Sequence, residues 1–187
     1  REFLWAGMMG AIALPSLARA IGPAQDVRLM QLMHNGRWQV HDGALEFLAT
    51  EVGLRTSVAM DPARTVVSPE MEQLSGSMIL FVSGTGAFSF TPDERANLER
   101  WIGLGGLIVF DNAGISSPDA DFDKSTRAEL KAMFPQSPIE RVSPEHVVFR
   151  SFYRLDYPAG RAIHKPFIEG IRLGSRYGAF VIQNDLL

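Results

Sequence analysis

The apolar positions of the chain fall into short unbroken runs separated by stretches of helical period. Met78-Ile79-Leu80-Phe81-Val82-Ser83, bounded by Gly76 and Gly84, is one such run, and Leu107-Ile108-Val109-Phe110 is another. Their length and flanks predict strands buried on both faces. Between them the Gly84-Thr85-Gly86 turn leads to a helix with a complete start signal. Thr91 can cap it, Pro92 takes the first helical position, and Glu94 stands three residues after the cap. Leu98, Trp101 and Ile102 share one face of this helix, and Gly103, Gly105 and Gly106 close it. Strand, loop, helix and strand make a βαβ unit, so the two strands should run parallel. Gly84-Thr85-Gly86 and Asp111-Asn112 should then share one rim of the sheet.

The flanking segments extend this unit. Val27 to Met33 reads as a first core strand, followed by an Asn35-Gly36-Arg37 turn. A helix is expected from Asp42 to Val52, with Leu45, Leu48, Ala49 and Val52 inward and Gly53 at its end. Arg55 to Met60 reads as a short strand near a sheet edge, stopped by an Asp61-Pro62 turn. Ser68-Pro69-Glu70-Met71 can start a single helical turn, and Phe122 to Phe134 a longer helix that Pro135 stops. Residues 139–160 read as a long connection anchored on the sheet by Val147-Val148-Phe149 and Phe152-Tyr153. Ile168 to Leu173 and Tyr177 to Ile182 alternate as two strands around Gly174-Ser175-Arg176. The order predicts an α/β fold, a three-layer α/β/α sandwich with a mainly parallel sheet.

Composition narrows the class. The chain is 46% hydrophobic and 21% charged, as an ordinary globular protein is, and its formal net charge of −3 argues against nucleic acid as a partner. With no cysteine, disulfides, thiolate metal sites and cysteine nucleophiles are excluded together. The N-terminus has a different character. Arg1-Glu2-Phe3-Leu4 has the form of the second half of a twin-arginine signal, and Phe3 to Leu14 is an apolar run too short to span a bilayer comfortably. Pro15 breaks that run and Ala18-Arg19-Ala20 has the small-x-small form of a cleavage site. Residues 1–20 are therefore expected to be a signal peptide and residues 21–187 a single domain, periplasmic or secreted, with no stable membrane span after the signal is removed.

Ligands of open parallel sheets bind beyond the carboxyl ends of the strands, near the point where strand order reverses. A crevice there would gather His34, Asn35, Trp38, Gly84, Thr85, Gly86, Phe88, Asp111 and Asn112. The helix start at Pro92 would lie nearby, with backbone N–H groups available to an anion. Phe88 and Phe90 sit in a polar loop where they could stack on a sugar or stay buried, whereas for Phe152 core packing is the expectation. No catalytic set is apparent. Ser83 lacks the frame of a nucleophile elbow, since residues 81–85 read Phe-Val-Ser-Gly-Thr, and His146 beside Glu145 is no dyad because chain neighbours rarely face each other. Asp119-x-Asp121-x-Asp123 starts like a calcium loop but has Lys124 and Leu130 where that loop needs Gly and Glu. His34 and His41 are two isolated imidazoles without further zinc ligands. The glycines at 84 and 86 are followed by Ser89, which breaks a dinucleotide fingerprint. No metal and no cofactor are expected.

With these residues in view, the chain resembles the bacterial domain-of-unknown-function family 4159. The resemblance is carried by Trp38, Thr56, the block Ile79 to Asp111, Arg127-Ala128-Glu129-Leu130 with Phe134-Pro135, His146-Val147-Val148-Phe149 with Ser151-Phe152-Tyr153, and Asn184-Asp185-Leu186. It implies a flavodoxin-like fold related to class I glutamine amidotransferases, and a chain that continues past Leu187. The family commonly has Gly-His-Gly at Gly84-Thr85-Gly86 and a paired acid at Asp111-Asn112, so a reactive site there would lack an imidazole and a carboxylate in this chain. The expected function is an exported, non-catalytic domain that binds an unknown small molecule, a carbohydrate or an envelope protein. The alternative is a divergent hydrolase of a cell-envelope carbohydrate or amide, with Asp111 as acid or base. Full engagement of Asp111 by backbone N–H groups would count against that alternative.

Overall fold

In the computed structural model, which describes residues 26–187, seven strands form one sheet. They are β1 (Val27–Leu32), β2 (Met60–Val67), β3 (Ile79–Gly84), β4 (Leu107–Asn112), β5 (Ile139–Arg141), β6 (Glu169–Leu173) and β7 (Arg176–Ile182), in the spatial order β2-β1-β3-β4-β7-β6-β5. Strands β2, β1, β3, β4 and β7 run parallel, and β6 and β5 complete the sheet antiparallel to their neighbours. Four helices accompany them: α1 (Ala44–Arg55), α2 (Met71–Leu74), α3 (Pro92–Gly103) and α4 (Ala120–Met133). The fold is thus mixed α/β with a mostly parallel sheet. The expected signal segment lies outside the described residues. Among the described residues, no helix is long and apolar enough to cross a membrane.

Strict alternation along the strands builds two cores. Leu80, Val82, Ile108, Phe110, Ala179 and Val181 join side chains of α2, α3 and α4. Phe81, Val109, Phe180 and Ile182 point the other way, to Leu45 and Ala49 of α1 and to Val142, Phe149 and Ile168. The central βαβ unit forms as the pattern predicts. Thr91 Oγ1 accepts from the Glu94 N–H at 3.3 Å and Glu94 Oε2 accepts from the Thr91 N–H at 2.7 Å, a capping box followed by Pro92. Replacing Thr91 by Ala should lower unfolding stability by roughly 1 kcal/mol, read as a shifted urea midpoint; an unchanged midpoint would mean the cap contributes nothing.

Three expectations are corrected. The second strand is Met60–Val67, not Arg55 to Met60, and Pro62 lies inside it rather than in a turn. Pro62 is tolerated because β2 is an edge strand whose register with β1 shifts between Arg28 and Met30. Helix α1 runs through Gly53 to Arg55, where the Thr56 backbone N–H and hydroxyl both bond to the Val52 carbonyl. Phe152 is 58% exposed instead of packed, while Phe149, three residues earlier, is the buried anchor of that connection.

Candidate functional site

Parallel register sets the rim. Ser83 pairs with Asp111 and Gly84 with Asn112 across β3 and β4, so both groups stand at the same carboxyl end of the sheet. The loop after β1 packs directly onto the loop after β3. Thr85 N–H donates to the Arg37 carbonyl at 3.2 Å, and a Cβ on Gly84 would lie 2.6 Å from that carbonyl oxygen, so only glycine admits this approach. Gly86, at φ 76°, turns the chain out of the strand.

The rim residues divide by what they do. His34 is buried, with Nδ1 accepting from the Gly36 N–H at 3.1 Å and Nε2 at 3.2 Å from the Ser83 carbonyl. An acceptor at Nδ1 leaves the proton on Nε2, and burial holds the imidazole pKa below its ordinary value. Asn35 ties the two loops together: its Oδ1 accepts from the Ser89 N–H at 2.9 Å and its Nδ2 donates to Ser89 Oγ at 3.1 Å. Trp38 is half-buried and its carbonyl accepts from Gln31 Nε2 at 2.9 Å. Phe88 and Phe90 belong to the core, not to an exposed platform. Their backbone N–H groups donate to Ser125 Oγ at 3.0 Å and to Glu129 Oε1 at 3.3 Å, so α4 draws the loop inward. Glu129 is itself buried and neutralised by Arg95 at 2.6 Å.

Asn112 is spent on structure. Its Nδ2 donates to the Asp119 carbonyl at 2.9 Å and to Gln183 Oε1 at 3.0 Å, while Oδ1 accepts from the Asp119 and Gly114 N–H groups. Asp111 has no exposed surface, and its two oxygens accept from the Leu186 N–H at 2.8 Å and the Leu187 N–H at 3.1 Å. Burial pushes its pKa up to about 6, against the two backbone donors. The nearby Asp185 charge adds to the rise, and positive charge on His41 opposes it.

One open space at this rim lies between the loops after β1, β2 and β3 and the start of α3. It is a crevice of about 320 Å³ lined by Met33, His34, Asn35, Ser68, Pro69, Ser89, Phe90, Thr91 and Glu94. Of the predicted residues His34 and Asn35 face it; Gly84, Thr85, Gly86, Trp38, Phe88, Asp111 and Asn112 do not line it. Ser68 Oγ is buried and has no hydrogen-bond partner. The expected anion seat at α3 is filled from within. Pro92 has no N–H, Thr91 Oγ1 occupies the Glu94 N–H, and Asp93 and Glu94 put negative charge on the first turn.

A second group was not singled out from sequence. His41 Nε2 lies 2.6 Å from Asp185 Oδ1, and Arg161 Nη1 lies 2.5 Å from His41 Nδ1. His41 (φ 57°) and Asp185 (φ 51°) are the only non-glycine residues with positive φ among those described. The only advance signal for them was the Asn184-Asp185-Leu186 block and an imidazole considered solely as a zinc ligand. Among the described residues, no group of three or more His, Cys, Asp or Glu is placed to hold a metal ion.

Fold and rim together define a mixed α/β protein with a polar, loop-built surface at the carboxyl ends of a parallel sheet. Residues 28–187 match the family described as Domain of unknown function (DUF4159), and the chain belongs to that family. None of the curated proteins matches it.

Proposed function

We propose that this chain is an exported, non-catalytic binding domain on a three-layer, flavodoxin-like fold of the class I glutamine amidotransferase type, and that its crevice takes a neutral, hydroxyl-rich ligand of the cell envelope, a carbohydrate. The observation that carries this reading is the 320 Å³ crevice, whose lining mixes apolar side chains with uncharged hydrogen-bonding ones. Met33 and Pro69 offer apolar surface for the C–H face of a sugar, while Asn35, Ser89 and Thr91 bring hydrogen-bonding groups. Glu94 is the one acidic side chain in the lining, and no Lys or Arg balances it there, which disfavours an anionic ligand. The strand order 2-1-3-4, read inward from the β2 edge, supports the flavodoxin-like assignment. Export rests on the order of apolar run, Pro15 and Ala18-Arg19-Ala20 in the sequence.

The hydrolase alternative has one feature in its favour, an Asp111 carboxyl raised to about 6. Yet that carboxyl is wholly buried and both its oxygens are taken by backbone N–H groups. A general acid or base has to reach the proton it moves.

A single preparation tests both parts of the proposal. Expressed with its leader in a bacterial host, the protein should be recovered from the periplasm with its N-terminus near Ile21. Neutral disaccharides of N-acetylglucosamine should then shift the amide resonances of Asn35 and Ser89. Ser89→Trp, which fills the crevice from an exposed position, should abolish those shifts. Cytoplasmic recovery of the uncut chain defeats the export claim, and shifts that survive Ser89→Trp defeat the crevice.

A further inference from the structure

Three chain segments meet around Asp185. It follows β7, His41 precedes α1, and Arg161 lies in the connection between β5 and β6. The Arg161 N–H donates to the Asp185 carbonyl at 2.7 Å and the Ala162 N–H to the Asn184 carbonyl at 3.1 Å. A Cβ on Gly160 would stand 2.2 Å from the Asn184 oxygen, so the two segments lie as close as backbones can. The placement of Arg161 is therefore built in, although its side chain is 54% exposed.

Asp185 has no exposed surface, and neither carboxylate oxygen makes a hydrogen bond. His41 Nε2 comes within 2.6 Å of Oδ1 but is not aligned as a hydrogen-bond donor to it; Arg161 Nε is 3.8 Å from Oδ2. A guanidinium can only donate, so the 2.5 Å contact with Arg161 Nη1 makes His41 Nδ1 an acceptor. While Arg161 holds Nδ1, the His41 proton lies on Nε2. A buried carboxylate facing a neutral imidazole is undercompensated. So is the backbone, since left-handed φ at both residues is a strained choice that has to be held by its surroundings. Finally, the N-cap position of α1 is Gly43, two residues after His41, and no side chain caps the helix.

We infer that His41, Arg161 and Asp185 form a binding site for an oxyanion, a carboxylate or phosphate, separate from the crevice and taken up together with a proton. The anion accepts from Arg161, which swings off His41 Nδ1. Nδ1 gains a proton and donates to the anion. Asp185 then faces an imidazolium whose positive charge balances its own negative one. The proton comes from solvent or from the phosphate monoanion, and only N–H and O–H bonds change. The other charged groups nearby do not replace this pairing. Asp111 lies beneath, bound to the Leu186 and Leu187 N–H groups; Asp42 is paired with Arg64 at 3.2 Å; Glu46 stands in the first turn of α1. His164 Nε2 is engaged with the Gly114 carbonyl at 3.0 Å.

Calorimetric titration of the intact protein with sodium phosphate, and separately with sodium acetate, at about pH 7.5 in buffers of different ionisation enthalpy tests this. Uptake of roughly one proton per bound anion is expected. Heat with acetate assigns the site to carboxylates, and heat with phosphate alone assigns it to phosphates. Arg161→Ala should weaken binding by about tenfold or more. Asp185→Asn, a residue that also accepts left-handed φ, should abolish the proton uptake. In the unmutated protein, nitrogen-15 spectra should show His41 Nδ1 unprotonated without anion and protonated with it. Absence of binding at millimolar anion, binding without proton uptake, affinity unchanged in Arg161→Ala, or an Nδ1 that stays bare would each overturn the assignment. Because no crevice residue takes part, a failed sugar titration leaves this result intact, and the reverse holds.

Discussion

Asn184→Ala should lower unfolding stability by about 4 kcal/mol, one of the two largest single effects expected in this domain. Asn184 is fully buried just beyond β7, and all of its side-chain hydrogen-bonding capacity is directed at one connection. Its Nδ2 donates to the Pro158 and Lys165 carbonyls, both at 2.7 Å, and its Oδ1 accepts from the His164 and Lys165 N–H groups at 2.9 and 2.8 Å. Four bonds of ordinary net value give the figure, and alanine leaves their partners without replacement in a buried place. Asn184→Asp should be at least as damaging, since it sets a carboxylate oxygen against the Pro158 and Lys165 carbonyls at 2.7 Å in a fully buried place. Urea unfolding followed by tryptophan fluorescence reads the series. An Asn184→Ala midpoint equal to wild type would mean that residues 158–165 are held by something else.

That connection is also where sequence reading was weakest, for a physical reason. Local signals sufficed for the βαβ unit because its apolar runs, capping box and closing glycines are contiguous in the chain. They sufficed for β6 and β7 because alternation and the turn at Gly174 are local too. Strand β5 is three residues long and has no run to see. Strand β2 was misplaced because proline usually ends a strand, and whether it lies on an edge is decided by sheet order. Insertion of β7 beside β4 is a tertiary outcome that no window of sequence contains. The same division holds at the rim. Gly84 and Asp111 were placed together because parallel register follows from one crossover. His41, Arg161 and Asp185 come from three segments, and their meeting depends on the Asn184 latch and the close backbone pairing at Gly160. Phe88 and Phe90 looked like loop aromatics until Ser125 and Glu129, on a helix more than thirty positions later, supplied the bonds that turn them inward.

Asp111→Asn should change how stability responds to pH. Burial raises the folded-state pKa of this carboxyl from the ordinary carboxylate range to about 6. The folded protein therefore holds a proton that the unfolded chain has already released between those two values. Stability from this group is fully present below the unfolded pKa and is lost as pH rises through about 6. The loss comes to roughly 3 kcal/mol, from a shift of about two units at 1.36 kcal/mol each. Asparagine does not titrate, so the variant lacks this dependence. It also turns an N–H toward one of the two backbone donors from Leu186 and Leu187, a constant cost of about 1–3 kcal/mol. Wild type should thus be clearly the more stable protein near pH 4, and the difference should shrink or reverse by pH 7. Taking the difference between the two proteins at each pH removes opposing contributions such as that of Asp61, whose pKa is lowered by the Ala63 N–H and by Arg28. Parallel curves across this range would mean that Asp111 is already compensated in the folded state. Because positive charge on His41 opposes the rise at Asp111, oxyanion binding that protonates His41 should flatten the wild-type curve toward that of the variant. The buried carboxylate beneath the site would then report the charge state of the imidazole above it.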